Sequence, residues 1–64
     1  MKTLTGKQLV DMLEDNGWKV VRIEGSHYIM QKPGNMNTLS IPVHRGKTIK
    51  PGLLNFILKR AGLK

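Results

Sequence analysis

The chain has no cysteine among its 64 residues, so neither disulfides nor thiolate-bound zinc can hold its fold together. A domain of about 60 residues buries only about 60% of the surface that its unfolded chain exposes, which limits it to one modest hydrophobic core. Apolar residues make up 39% of the sequence, a share compatible with such a core. We therefore expect a single domain over residues 1–64, in which most polar side chains stay in contact with water.

Both ends of the chain carry the signals that begin and end helices. Thr5 and Gln8 have the spacing of a capping box, and Gly17 suits the left-handed conformation that ends a helix. Pro51 suits the first position of a second helix, which Gly62 then ends. Each helix has one apolar stripe at helical spacing: Leu9, Val10 and Leu13 in the first, and Leu54, Ile57, Leu58 and Ala61 in the second.

Three segments between the helices, at 18–24, 27–32 and 38–43, have the composition of strands. Gly25-Ser26 forms a turn between the first two, and the composition of residues 33–37 predicts a loop before the third. Pro42 lacks an amide proton and therefore favours an edge position or an early end for the third strand. These short strands predict an α+β fold of order α-β-β-β-α, a three-stranded antiparallel sheet with both helices on one face.

The charge balance is the strongest indication of function in the composition. Eleven Lys and Arg residues oppose four Asp and Glu residues, which gives a formal net charge of +7 and a sequence pI near 10.3. A domain pI above about 9 indicates a nucleic-acid binder. An acidic protein partner, or charge that serves solubility alone, is the alternative.

The sequence lacks the features of several other classes of protein. No apolar run approaches the ~18 residues that a transmembrane helix needs, and no apolar signal segment precedes the first helix. We therefore expect no membrane partner and a cytoplasmic location. Two histidines and four scattered acids form no zinc or two-metal pattern, so no metal and no cofactor are expected.

His27 is the leading candidate for a catalytic residue, since an imidazole with a pKa near ~6.5 moves protons at neutral pH. Strand alternation places His27 on one face and Tyr28 on the other, although the sequence does not say which face the helices cover. In the functional interpretation, His27 takes a proton from a ribose 2′-hydroxyl or gives one to the leaving oxygen. A structural histidine or an ordinary RNA contact is the alternative. Ser26 is a candidate to bind a phosphate or orient His27.

A second candidate segment follows the third predicted strand. It contains His44, Arg45, Lys47 and Lys50, ahead of a helix N-terminus whose free amides favour an anion. We interpret it as a phosphate-contacting loop, with a solvated basic loop as the alternative. Arg22, Lys47 or Lys50 is a candidate to neutralise phosphate charge during cleavage. A further possibility is that His27 acts as the general base and His44 as the general acid, but nothing in the sequence shows that the two side chains lie close together.

The chain resembles the HicA toxin family of bacterial and archaeal toxin–antitoxin systems. The resemblance runs over nearly the full length, and the segments that carry it are Asn16-Gly17-Trp18, Val21-Arg22, Gly25-Ser26-His27, Ile41-Pro42-Val43-His44, Lys47, Lys50-Pro51-Gly52 and the ending from Ile57 to Leu63. Tyr28 stands where a second histidine often follows the first. We expect its side chain to point away from His27.

The resemblance implies a type II toxin that acts as a metal-independent endoribonuclease, an mRNA interferase, on a double-stranded-RNA-binding-domain-like fold. It implies that His27 is catalytic, that mRNA is the substrate, and that a HicB-like antitoxin neutralises the toxin, which alone is expected to be monomeric. A non-catalytic RNA-binding module of the same fold and a basic adaptor for an acidic protein are the competing functions. Replacing His27 separates the first two, because it should abolish catalysis but weaken binding only mildly.

Overall fold

The secondary-structure elements of the computed structural model, which describes residues 3–64, follow the predicted order. They are α1 (Gly6–Asp15), β1 (Lys19–Glu24), β2 (His27–Lys32), β3 (Asn35–Pro42) and α2 (Pro51–Arg60). The strands form an antiparallel sheet in the order β1-β2-β3, so β3 is an edge strand, as Pro42 predicts. The predicted α+β class and its layout are confirmed. Residues 1 and 2 of the expected domain lie outside the described residues.

The capping box predicted for α1 is present. The Gln8 amide donates a hydrogen bond to the Thr5 hydroxyl at 3.1 Å, and the Thr5 amide donates one to the Gln8 side-chain carbonyl at 2.9 Å. The chain leaves the helix at the left-handed Gly17, with φ +93°, and the Trp18 amide bonds the Leu13 carbonyl at 3.0 Å. These contacts satisfy backbone groups that a helix otherwise leaves without partners at its ends.

The N-terminus of α2 lacks such a side-chain cap. Lys50 occupies the N-cap position without a capping hydrogen bond, Pro51 follows it, and the first turn contains no acidic residue. Lys59 and Arg60 lie in the last turn, where positive charge complements the helix dipole. Neither helix in the described part of the chain is long and apolar enough to cross a membrane.

Both helices pack against the same face of the sheet, as predicted. Their buried side chains join those of the sheet in one cluster, which contains Leu9, Val10, Leu13, Trp18, Met30, Leu39, Ile41, Ile49, Leu54, Ile57 and Ala61. Fully burying a large aliphatic side chain stabilises a fold by about 1.5–3 kcal/mol. This cluster is therefore the main source of stability for residues 3–64.

The hairpin between β2 and β3 is tighter than predicted. Its turn is only Pro33-Gly34, with Gly34 at φ +84°, and Asn35 already pairs with Lys32. The prediction that residues 33–37 form a loop is therefore wrong for residues 35–37. Asparagine has low strand propensity, but cross-strand pairing with β2 outweighs this local preference.

The segment between β3 and α2 is anchored to the start of the chain. Thr48 forms an isolated bridge with Thr5, and the Ile49 amide donates a hydrogen bond to the Leu4 carbonyl at 2.7 Å. The Ile49 side chain is buried in the core. This anchor, which the sequence analysis did not predict, holds the basic loop of residues 43–50 in place.

α1 approaches the end of β3 so closely that only glycine fits at the contact. A Cβ atom added at Gly6 would lie 2.2 Å from the Pro42 carbonyl oxygen and 2.8 Å from the Val43 Cα atom. Gly6 therefore allows α1 to dock directly on the backbone where β3 ends. His27 pairs with the same Pro42 from the neighbouring strand, so this contact supports the candidate site.

We predict that Gly6→Ala lowers the free energy of unfolding by about 1–3 kcal/mol, because the added methyl group clashes with backbone. Gly52→Ala is the matched control, since it also lies in the first turn of a helix but its Cβ would meet nothing within 4 Å. The control should stabilise the protein by up to about 1 kcal/mol through helix propensity. Urea unfolding measures both changes. Equal effects of the two substitutions would contradict the close contact at Gly6.

Candidate functional site

The sheet has one face that neither helix covers, and His27 lies on it. Met30, Leu39 and Ile41 point into the core shared with the helices. Alternation along β2 therefore places His27, with Ile29 and Gln31, on the opposite side, which we call the open face. Tyr28, half-buried against the core, points away from His27 as predicted.

His27 is the first residue of β2 and follows a tight turn. Gly25 has φ +60° and Ser26 a negative φ, the pattern of a two-residue type II′ hairpin turn. His27 is exposed and pairs with Glu24 on one side and Pro42 on the other. Cβ atoms of directly opposed residues lie about 4.5–5.5 Å apart. The imidazole therefore stands between a carboxylate and a proline ring at the end of the open face.

Glu24 is a neighbour of His27 that the sequence analysis missed. The two-residue turn places residue 24 directly opposite residue 27, so the length of the turn was the signal that could have found it. The Glu24 carboxylate accepts a hydrogen bond from Nε of Arg22, and both side chains are more than half exposed. Arg22 lies two residues before Glu24 on β1 and pairs with Ile29, which lies two residues after His27 on β2.

The loop after β3 brings three of the predicted RNA-contacting residues together around one hollow. This basic hollow has a volume of about 250 Å³ and is lined by Pro42, His44, Lys47, Thr48, Ile49, Lys50 and Leu53. Pro42 both lines the hollow and pairs with His27. The two candidate segments, separate in sequence, therefore adjoin each other across Pro42.

Arg45 and Ser26 do not line the basic hollow. Arg45 is exposed in a turn that is closed by a hydrogen bond from the Lys47 amide to the His44 carbonyl at 3.0 Å. The Ser26 carbonyl accepts a hydrogen bond from the Val43 amide at 2.7 Å. That bond ties the turn before His27 to the start of the basic loop.

The acidic residues are separated from the basic hollow. Asp11, Glu14 and Asp15 are exposed on α1, as predicted for a solvated face. Asp11 accepts a hydrogen bond from Lys7 at 2.7 Å and raises the pKa of that ammonium group above its ordinary value. Among residues 3–64, Glu24 is the one acidic side chain on the open face. In residues 3–64, no group of three or more His, Asp or Glu side chains lies together as a metal site requires.

The arrangement places an imidazole, a group able to transfer protons, beside positively charged side chains. An imidazole changes its charge between pH 5 and 8, and lysine ammonium groups donate hydrogen bonds to phosphate oxygens. The N-terminal amides of α2, beside Lys50, add backbone donors that face an anion. An exposed imidazole next to such a hollow suits chemistry on a phosphodiester.

Comparison with known proteins identifies the family. Residues 6–63 match the family described as HicA toxin of bacterial toxin–antitoxin systems. This range contains all the helices and strands and every residue of the candidate site. No curated protein matches the chain. Because the family match covers nearly the whole chain, the protein belongs to the HicA toxin family, and membership implies an antitoxin partner.

Proposed function

We propose that this toxin is an endoribonuclease that cleaves mRNA without a metal ion, with His27 as its catalytic residue. Cleavage blocks translation in the cytoplasm until the antitoxin neutralises the toxin. The observation that supports this most strongly is the placement of His27, exposed on the open face and adjoining the basic hollow. A net charge of +7 favours a polyanionic substrate.

In this proposal His27 moves a proton at the reacting ribose. It takes the proton of the 2′-hydroxyl as that oxygen attacks the adjacent phosphorus, or it gives a proton to the 5′ oxygen that leaves. General acid–base catalysis of this kind contributes about 10²–10⁴-fold to the rate. Both roles require direct contact between the imidazole and the RNA, which the exposure of His27 permits.

The basic hollow holds the phosphate in this mechanism. Lys47 and Lys50 neutralise the negative charge that grows on the phosphoryl oxygens, and His44 adds a contact in the same hollow. The uncapped N-terminus of α2 supplies further donors. Arg22, Arg45 and Ser26 contact flanking phosphates from the edges of the site.

To neutralise the toxin, the antitoxin has to prevent RNA from reaching His27 and the basic hollow. The surplus of positive charge favours an acidic contact surface on that HicB-like partner. The same charge, present on every copy, opposes self-association. We therefore expect the toxin to be a monomer in the absence of the antitoxin.

We predict that His27→Ala lowers the rate of RNA cleavage by at least about 10²-fold. His27 is exposed, so the free energy of unfolding should change by less than about 0.5 kcal/mol. The matched control is His44→Ala, which should lower the rate less, since in the proposed mechanism His44 adds a phosphate contact and takes no part in the proton transfer. Cleavage of a labelled RNA by purified protein in EDTA, together with urea unfolding, measures these effects.

Other outcomes of that experiment would favour the competing functions. Native protein that binds RNA without cutting it, with an affinity that His27→Ala leaves nearly unchanged, would indicate a non-catalytic RNA-binding module. Absence of RNA affinity even at low salt would indicate an adaptor for an acidic protein. Loss of cleavage in EDTA alone would contradict metal independence.

We further predict that replacing both Lys47 and Lys50 by Gln weakens RNA binding. The affinity that remains should depend less steeply on salt concentration. Each lost phosphate contact should reduce the slope of log affinity against log salt by about 0.7 for a single strand. The control replaces Lys7 and Lys59 by Gln. These two lysines lie on the helices outside the hollow, and the control variant has the same net charge as the test variant. Equal slopes for the two double variants would show that the hollow binds no phosphate.

A further inference from the structure

We propose that a trough at the far end of the open face binds one adenine base of the RNA and sets the sequence preference of cleavage. This inference rests on the proposed function, since it assigns a subsite to the same substrate. The trough has a volume of about 430 Å³ and crosses all three strands. None of its residues belongs to the basic hollow, so it is a separate part of the surface.

Two exposed apolar side chains, Val21 and Met36, line the trough. Val21 lies at the irregularity in β1, where the register with β2 shifts between Val20 and Arg22. Met36 lies on β3, near the opposite edge of the sheet. Val21 is 49% exposed and Met36 102% exposed, so both present apolar surface that the core does not use. Methionine is adaptable, and apolar side chains of this kind can stack on the face of a base.

Polar side chains, among them Gln31 and Thr38, also line the trough. Gln31, on the open face of β2, donates a hydrogen bond from Nε2 to the Thr38 hydroxyl at 3.5 Å. This contact orients the amide and leaves its oxygen and one N–H for a ligand. A glutamine amide offered in this way forms a bidentate pair with the N6 and N7 atoms of adenine. Since this is the typical base pairing of a glutamine amide, we assign adenine to the trough.

Two lysines flank the trough. Lys19 lines it from β1 and Lys32 from the end of β2. Neither makes an ion pair with another residue of the described chain. Both ammonium groups therefore remain for the phosphates on either side of the bound base.

The trough lies within reach of the RNA that His27 would cleave. Gln31 and His27 are four residues apart on β2, which corresponds to about 13 Å along a strand. A stacked nucleic-acid strand advances about 3.4 Å per nucleotide, so this distance spans about four nucleotides, and fewer of an extended strand. The preferred adenine should lie within that interval of the cleaved bond.

Mapping cleavage sites on an RNA pool of random sequence tests the proposal. The native protein should show adenine enriched at one fixed position within about four nucleotides of the cut. Gln31→Ala should reduce that enrichment about fivefold or more, the discrimination of one bidentate contact, while the pool is still cleaved. Ser40→Ala is the control, because Ser40 lies on the open face outside the trough and should leave the preference unchanged. An unchanged preference in Gln31→Ala would overturn the proposal and leave the nuclease function intact.

Binding without cleavage provides the second measurement. His27→Ala protein should bind single-stranded oligo(A) more tightly than oligo(U), as measured by fluorescence anisotropy. The double variant that also carries Gln31→Ala should lose this difference, whereas addition of Ser40→Ala should keep it. If native protein cuts no RNA, the nuclease function fails, but this comparison still decides the proposal. Equal affinity of the His27→Ala protein for the two oligonucleotides would overturn it.

Discussion

A single hydrophobic core, closed by both helices against one face of the sheet, determines which face of the sheet stays accessible for a functional site. Residues 3–64 form two helices, and the buried side chains of both share one cluster with Met30, Leu39 and Ile41. The other face of the sheet is left without a covering layer. Because side chains alternate along each strand, packing of Met30 toward the helices obliges His27 to point outward. The exposure of the candidate catalytic residue thus follows from the way the core is built.

The contact between Gly6 and the end of β3 links this core to the site. It lets α1 lie directly on the backbone of Pro42 and Val43. Pro42 in turn separates His27 from the basic hollow, and the Val43 amide bonds the turn that precedes His27. Helix docking and the relative positions of imidazole and cations are therefore set by the same few backbone atoms.

The sequence predicted those features that depend on residues close together in the chain. The capping box at Thr5, the helix end at Gly17 and the opposite orientations of His27 and Tyr28 all follow from local spacing. Features that depend on distant segments were not predictable in this way. The burial of Ile49 requires its pairing with the start of the chain, and the strand character of residues 35–37 requires β2 as a partner. The candidate site was predicted as two separate segments, since only the fold brings the basic hollow beside His27.

Binding of RNA to the open face beside His27 is tested most directly by NMR of isotope-labelled His27→Ala protein titrated with single-stranded RNA. Side-chain signals distinguish the two faces of the sheet where backbone amides cannot. We expect the Gln31 side-chain amide and the Nε–H of Arg22, both exposed, to shift, while the Asn16 side-chain amide, at the end of α1, stays unchanged. Shifts confined to α1, with the Gln31 and Arg22 signals unmoved, would show that RNA does not bind the open face.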